Sequence, residues 1–282
     1  MAETIRAKKS LGQHFLTDAA YCRRIADFAQ AGPDDAVVEI GPGTGRLTRV
    51  LLERSPRVVG IEVDPELVQL LDRRFSDQRS NGTFSLIHAD ILRLNWAEVL
   101  DRIRSASTPG RSADQQPTVK VVGNLPYNIA TRILTFMSRV QPRFHSLTVM
   151  TQKEVAQRVL ASPGGKEFGY LTLFSQFHFE RSSGFDVPPG AFTPRPKVVS
   201  HVFRLIPVRR ACADYELFLH LIRTAFRHRR KKFWNNLTSV VSDRNRLAEA
   251  MDLAGIAPGA RAEEISLEQF LYLTRVLSCA HE

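Results

Sequence analysis

The chain has 282 residues, 43% of them apolar, and its 39 lysines and arginines outnumber 29 acids for a net charge of +10 and a pI near 9.9. That length is enough for one large domain plus a smaller one, and no apolar run is long enough to span a membrane as a helix. The charge calls for a polyanionic partner or a merely solvated basic surface, and charge alone does not decide between them. The first residues, MAETIRAKKSLGQHFL, lack the apolar stretch and small-residue cleavage site of a secretion signal. They are basic, as an organelle leader is, but the expected domain begins almost at once, which argues against a removable leader. Cys22, Cys212 and Cys279 are far apart and in no metal-ligand spacing, so we expect reduced thiols, a cytoplasmic setting and no metal.

In chain order, strand-like runs recur at VVEI (37–40), VVGIEVD (58–64), FSLIHAD (84–90), VKVVGNL (119–125) and SLTVMTQ (146–152). Helical spacing fills the gaps at 47–55 and 65–75. Alternating strand and helix predict an α/β fold around a parallel, doubly wound sheet, whose strands present their C-terminal ends along one ligand-binding edge. The segment 104–118 is rich in Ser, Pro and Gln and is expected to be a mobile surface loop. EVAQRVLA (154–161) reads as a helix, SPGG (162–165) as a turn, and 168–187 is ambiguous between helix and strand. SHVFRLI (200–206) alternates and reads as a strand. From Tyr215 onward the pattern is helical. The change in composition near Pro207 sets an expected boundary between a domain at 1–207 and a basic all-α domain at 208–282.

Gly41-Pro42-Gly43-Thr44-Gly45 follows the first strand and opens a helix. Glycines there allow a tight turn and close approach of a ligand to the backbone. The spacing is not that of the dinucleotide fingerprint, and Gly-x-Gly-x-Gly after an acidic strand residue points to adenosyl-methionine; a purely structural turn is the competing account. Glu62 ends the second strand, where an acid can accept from both ribose hydroxyls. Asp64 precedes Pro65 and reads as a helix N-cap. Asp90 closes the third strand and can take an adenine amino group. A loop cap or a surface charge competes for each acid, but three acids at successive strand ends favour binding.

The fourth strand ends in Asn124-Leu125-Pro126-Tyr127. An exocyclic amine such as adenine N6 is a poor nucleophile because its lone pair is delocalised into the ring. The Asn124 side-chain oxygen and a backbone carbonyl of Leu125 or Pro126 can accept its protons and favour a pyramidal, attacking geometry. Pro126 stiffens the turn, and Tyr127 offers a ring to an unstacked base. Alignment and charge stabilisation then carry most of the rate, with no general base of shifted pKa.

These blocks, together with KKSLGQHFL (8–16), HADIL (88–92), MTQKEVAQR (150–158), VPPGAFTPRPKVVS (187–200) and AFRHRRKKFWNNL (225–237), resemble the small-subunit ribosomal RNA adenine N6-dimethyltransferase family over nearly the whole chain. The resemblance implies a Rossmann-like class I methyltransferase domain, mostly parallel with one antiparallel edge strand, followed by a small helical domain. It implies that Gln13, His14 and Leu16 line the S-adenosyl-L-methionine pocket with Gly41, Gly43, Gly45, Glu62, Asp90 and Asn124. It implies that Phe192 faces Tyr127 across the target base; a core Phe in a proline-stiffened loop is the alternative. The implied reaction places four methyl groups on N6 of two adjacent adenosines in the 3′-terminal hairpin loop of small-subunit rRNA. The implied partner is an immature 30S particle, approached by a monomer away from any membrane. Arg227, Arg229, Arg230, Lys231 and Lys232 are the expected RNA-binding residues. Two departures from the family pattern are the bulky Phe233-Trp234 after the basic run and the length of the 104–118 loop. The rivals are a large-subunit rRNA adenine methyltransferase of the macrolide-resistance type and a non-catalytic nucleic-acid-binding or assembly factor.

Overall fold

A computed structural model of the chain describes residues 7–8, 11–105 and 117–278. Most of the expected loop at 104–118, Lys9 and Ser10 of the N-terminal block, and Cys279 lie outside the described residues. The chain divides into two compact units, one of residues 1–156 and 182–207 and the other of 157–181 and 208–282. This corrects a single cut after residue 207. The segment 157–181 shares its core with the C-terminal helices, through Phe168, Leu173, Phe174 and Phe177.

In the first unit, β1 (Phe15–Leu16) and α1 (Ala19–Phe28) precede the repeating part. There β2 (Asp35–Ile40), α2 (Arg46–Leu52), β3 (Val58–Glu62), α3 (Pro65–Arg74), the short α4 (Ser76–Ser80), β4 (Phe84–His88), α5 (Trp96–Ser105), β5 (Thr118–Asn124), α6 (Ala130–Arg139) and β6 (Ser146–Gln152) alternate as expected. After α7 (Lys153–Leu160), the ambiguous stretch resolves into both alternatives, α8 (Tyr170–His178) running directly into β7 (Phe179–Val187). Then come β8 (Phe192–Thr193) and β9 (Ser200–Pro207).

The main sheet has seven strands in the order β4-β3-β2-β5-β6-β9-β7. The pairs β3–β4, β2–β3, β2–β5 and β5–β6 are parallel, and β9 runs antiparallel to β6, with Val149 opposite Phe203. The antiparallel edge is thus β9 with β7 beyond it. Every residue of β2 and β3 is buried, as a parallel sheet covered on both faces requires, which explains why both are rich in Val and Ile. Burying one such side chain contributes about 1.5–3 kcal/mol. Chain order changes sides between β2 and β5, so the loops after β2 and β5 diverge and open a crevice at the strand ends.

A second, two-stranded ladder pairs β1 with β8, Phe15 opposite Thr193 and Leu16 opposite Phe192. It fastens the N-terminal arm to a loop almost 180 residues away in sequence. In the second unit, α9 (Tyr215–Ala225), α10 (Phe233–Leu237), α11 (Arg244–Leu253) and α12 (Leu267–Ser278) enclose an apolar core containing Phe218, Phe233, Leu247 and Phe270. Among the described residues no helix is long and apolar enough to cross a membrane.

Candidate active site

Four strand ends and the N-terminal arm enclose a cavity of about 270 Å³ in the first unit. Gly41, Gly43, Glu62, Asp90, Asn124, Leu125, Pro126, Tyr127, Gln13 and His14 all line it, as the sequence leads one to expect. Gly41 has φ +67, and nothing stands within 4 Å of where a Cβ would point. Its missing side chain therefore leaves space for a ligand against the backbone.

Glu62 ends β3 with its carboxylate turned back on the glycine loop. Oε2 accepts from Gly43 N at 3.1 Å, and Oε1 accepts from Val63 N at 2.9 Å and Asp64 N at 3.0 Å. Burial pushes this carboxyl up, and the three N–H groups oppose the shift. One lone-pair site, on Oε2, remains open to a ligand hydroxyl. Asp90 has two roles. Its Oδ1 caps the short 3-10 turn at 91–93 by accepting from Leu92 N at 2.9 Å, and the residue still lines the cavity. Asp64 is the N-cap of α3, accepting from Glu66 N.

Asn124 closes β5. Its Nδ2 donates to the His14 carbonyl at 2.9 Å, which leaves Oδ1 as the amide atom available to an amine donor. The Pro126 carbonyl already accepts from Ile129 N at 3.2 Å as part of the turn. The Tyr127 hydroxyl lies 2.5 Å from Ser200 Oγ, and its ring stacks on His14 with centroids 5.3 Å apart and planes 26° apart. Burial raises the Tyr127 phenol above its ordinary range, against the bond to Ser200.

Three residues expected at the site lie away from the cavity lining. Phe192 is 2% exposed and belongs to the main core, because β8 pairs with β1 and turns the ring inward; the flanking prolines do not expose it, and it does not line the cavity. Leu16, opposite Phe192 on the ladder, is buried in the same core and does not line the cavity. Gly45 also lies away from the lining. It has φ +79, and a Cβ there would stand 2.5 Å from Phe75 and 2.9 Å from Leu71, so it serves the close packing of α2 on α3. Arg229 donates to the carbonyls of Lys166 at 2.6 Å and Phe168 at 2.9 Å through one nitrogen and remains exposed. Arg227, Arg230, Lys231 and Lys232 are exposed with it, whereas Phe233 after them is fully buried.

Sequence reasoning missed the strap formed by the N-terminal arm. Lys8 Nζ reaches Asp64 Oδ1 at 2.7 Å and Glu66 at 3.0 Å, while Gln13 Nε2 donates to Asp64 Oδ2 at 2.9 Å and its Oε1 accepts from Lys8 N. Burial alone would raise the Asp64 carboxyl, but these donors outweigh it and hold the group below its usual range. The spacing of Lys8 and Gln13 gave no hint of this, since the partner lies over 50 residues away. It also missed Glu39, 1% exposed on β2, which accepts from Thr48 Oγ1 at 2.6 Å and is pushed up to about 8 by burial. Thr48 is in α2, so this bond ties the strand before the glycine loop to the helix after it. Among the described residues no group of three or more His, Cys, Asp or Glu is placed to hold a metal ion.

A model of the family described as "Ribosomal RNA adenine dimethylase" matches residues 4–278. The ribosomal RNA small subunit methyltransferase A of Geobacter metallireducens is 39% identical over 280 residues, covering 98% of this chain and 97% of its own. The protein of that name from Clostridium botulinum is 37% identical over 93% of this chain and 90% of its own. Among solved structures, the 23S rRNA methyltransferase ErmE has a TM-score of 0.65 at 27% identity, covering 94% of this chain and 99% of its own. A dimethyladenosine transferase from Plasmodium falciparum shares the fold, with a TM-score of 0.73 at 21% identity and coverage of 94% and 98%. The family match takes in both units, and the chain belongs to the ribosomal RNA adenine dimethylases.

Proposed function

We propose that this protein transfers methyl groups from S-adenosyl-methionine to N6 of two adjacent adenosines in the 3′-terminal hairpin loop of small-subunit rRNA, two to each, on an assembling particle. The observation that carries this reading is the Asn124 amide: one polar atom is anchored on the His14 carbonyl and the other is available within the cavity that Glu62 and Gly41 share.

The residues present fit the cofactor. Gly41 leaves room against the backbone, Glu62 would take a ribose hydroxyl, and Asp90 would take the adenine amine. When bound, S-adenosyl-methionine supplies an electrophilic methyl group. Asn124 Oδ1 and the Leu125 carbonyl accept from the target amine and turn its lone pair out of the ring; Pro126 is the weaker choice, since its carbonyl serves Ile129. The amine nitrogen, so held, would take that methyl group as its bond to sulfur breaks, and would release the displaced proton to solvent. Tyr127, fixed at its hydroxyl by Ser200, stacks on the base. A monomethylated amine keeps one proton for the second round, which one acceptor can hold. The second unit would meet the RNA backbone through Arg227, Arg230, Lys231 and Lys232.

The test is methyl transfer to immature small subunits, with the modified nucleotides identified. Paired N6,N6-dimethyladenosine is expected, and absence of transfer would sink the reading. The 27% identity to ErmE is lower than the 39% to a small-subunit methyltransferase A, so large-subunit rRNA serves as the comparison substrate in the same assay; preferential methylation there would reassign the enzyme.

A further inference from the structure

We propose that the loop 193–199 is a second RNA-contacting surface, on the catalytic unit itself, where Arg195 and Lys197 hold phosphates flanking the adenosine in the cavity. This rests on the adenosine reading above. Both ends of the loop are fastened to residues that line the cavity. At one end His14 Nδ1 donates to the Pro194 carbonyl at 2.9 Å; at the other, Ser200 Oγ meets the Tyr127 hydroxyl at 2.5 Å. Between them Val199 O accepts from Lys153 N at 3.0 Å, Pro196 is buried, and the two prolines fix φ. The loop is held firmly, yet it presents Arg195, Lys197 and Val198 outward, with Val198 43% exposed.

Neither cation has a hydrogen bond or ion pair among the described residues, though exposed carboxylates nearby do find partners: Asp186 holds both Lys153 and His201. Consecutive Cα atoms are 3.8 Å apart, so Arg195 lies about 4 Å of chain from the His14 fastening and Lys197 at most about 12 Å from that at Tyr127. Because the loop's ends bond to His14 and Tyr127, which both line the cavity, a base held there would carry its backbone past this loop under the proposal. A guanidinium fits a phosphate through two parallel N–H bonds, and Val198 gives apolar surface to a sugar or neighbouring base. Contacts of this kind set register and leave base identity to the cavity.

The experiment compares the full chain with the double variant Arg195→Ala/Lys197→Ala, using a hairpin RNA whose loop carries two adjacent adenosines. Binding is measured over a salt series, with cofactor affinity and methyl-transfer kinetics alongside. The variant should lose about tenfold in RNA affinity, and its log K against log salt should be shallower by about 1.4, at about 0.7 for each single-strand phosphate contact. KM for RNA should rise with kcat and cofactor Kd near wild type, and Arg195→Lys/Lys197→Arg should restore most of the slope. An unchanged slope overturns the proposal. So does a variant that keeps its hairpin affinity but loses affinity for whole particles, which would assign the loop to a protein surface. Absence of methyl transfer to immature small subunits would defeat the enzymatic reading, while the comparison of slopes on the hairpin still decides this one.

Discussion

At the scale of single residues, the two polar atoms of the Asn124 amide divide the work between holding the side chain and accepting from the substrate. Asn124→Ala removes the acceptor and the anchor on His14, and should lower methyl transfer at saturating cofactor by about 10²-fold or more with folding little changed, read from kcat and circular dichroism. Phe192 behaves differently because its ring is in the core: Phe192→Ala should cost about 3–5 kcal/mol in urea denaturation, more than it costs turnover per folded molecule. Glu39 adds a pH dependence. Its folded pKa of about 8 exceeds the ordinary 4.5, so the unfolded chain ionises first. The associated stability is fully present below pH 4.5 and is lost as pH rises toward 8. Denaturation midpoints at pH 5 and pH 8 should therefore differ less in Glu39→Gln than in the wild type.

At the scale of elements, the site depends on a pairing between distant segments. Strand β1 lays Gln13 and His14 over the cavity only because β8 receives it, and the Lys8–Asp64 contact secures the free end. Lys8→Ala should loosen this strap and raise the cofactor Kd several-fold in titration, leaving the α3 cap intact. Asp64→Ala should do the same and in addition lower thermal stability through loss of the cap, by about 0.5–2 kcal/mol. Local signals make the rest readable in advance. The Val and Ile runs mark strands, Asp64-Pro65 marks a helix start, and acids at strand ends mark a binding edge. The fates of Phe192, Gly45 and Arg229 were not readable that way. Each is decided by what packs against it from elsewhere in the chain: the partner strand β1, the Phe75 ring, and the carbonyls of Lys166 and Phe168.

At the scale of the whole molecule, the net charge of +10 matters through its placement. Five exposed cations follow α9 in the second unit, and in the first Arg195 and Lys197 are exposed on a loop whose ends bond to cavity-lining residues. Replacing Arg227, Arg230, Lys231 and Lys232 by Ala should flatten the salt dependence of RNA binding, measured by anisotropy, while cofactor affinity is unaffected. The division of the chain was legible only in part. The shift in composition near Pro207 is real, but the Phe-rich segment 157–181 joins the C-terminal helices because its aromatic side chains complete their core.

The Glu62 carboxylate carries one more implication. A glycine-rich turn ahead of a helix ordinarily offers its amides to an anion. Here the carboxylate already draws in the amides of Gly43, Val63 and Asp64, and its negative charge would repel a second anion. A polyphosphate such as ATP should therefore bind this pocket weakly, because the carboxylate occupies the place where the anion would sit.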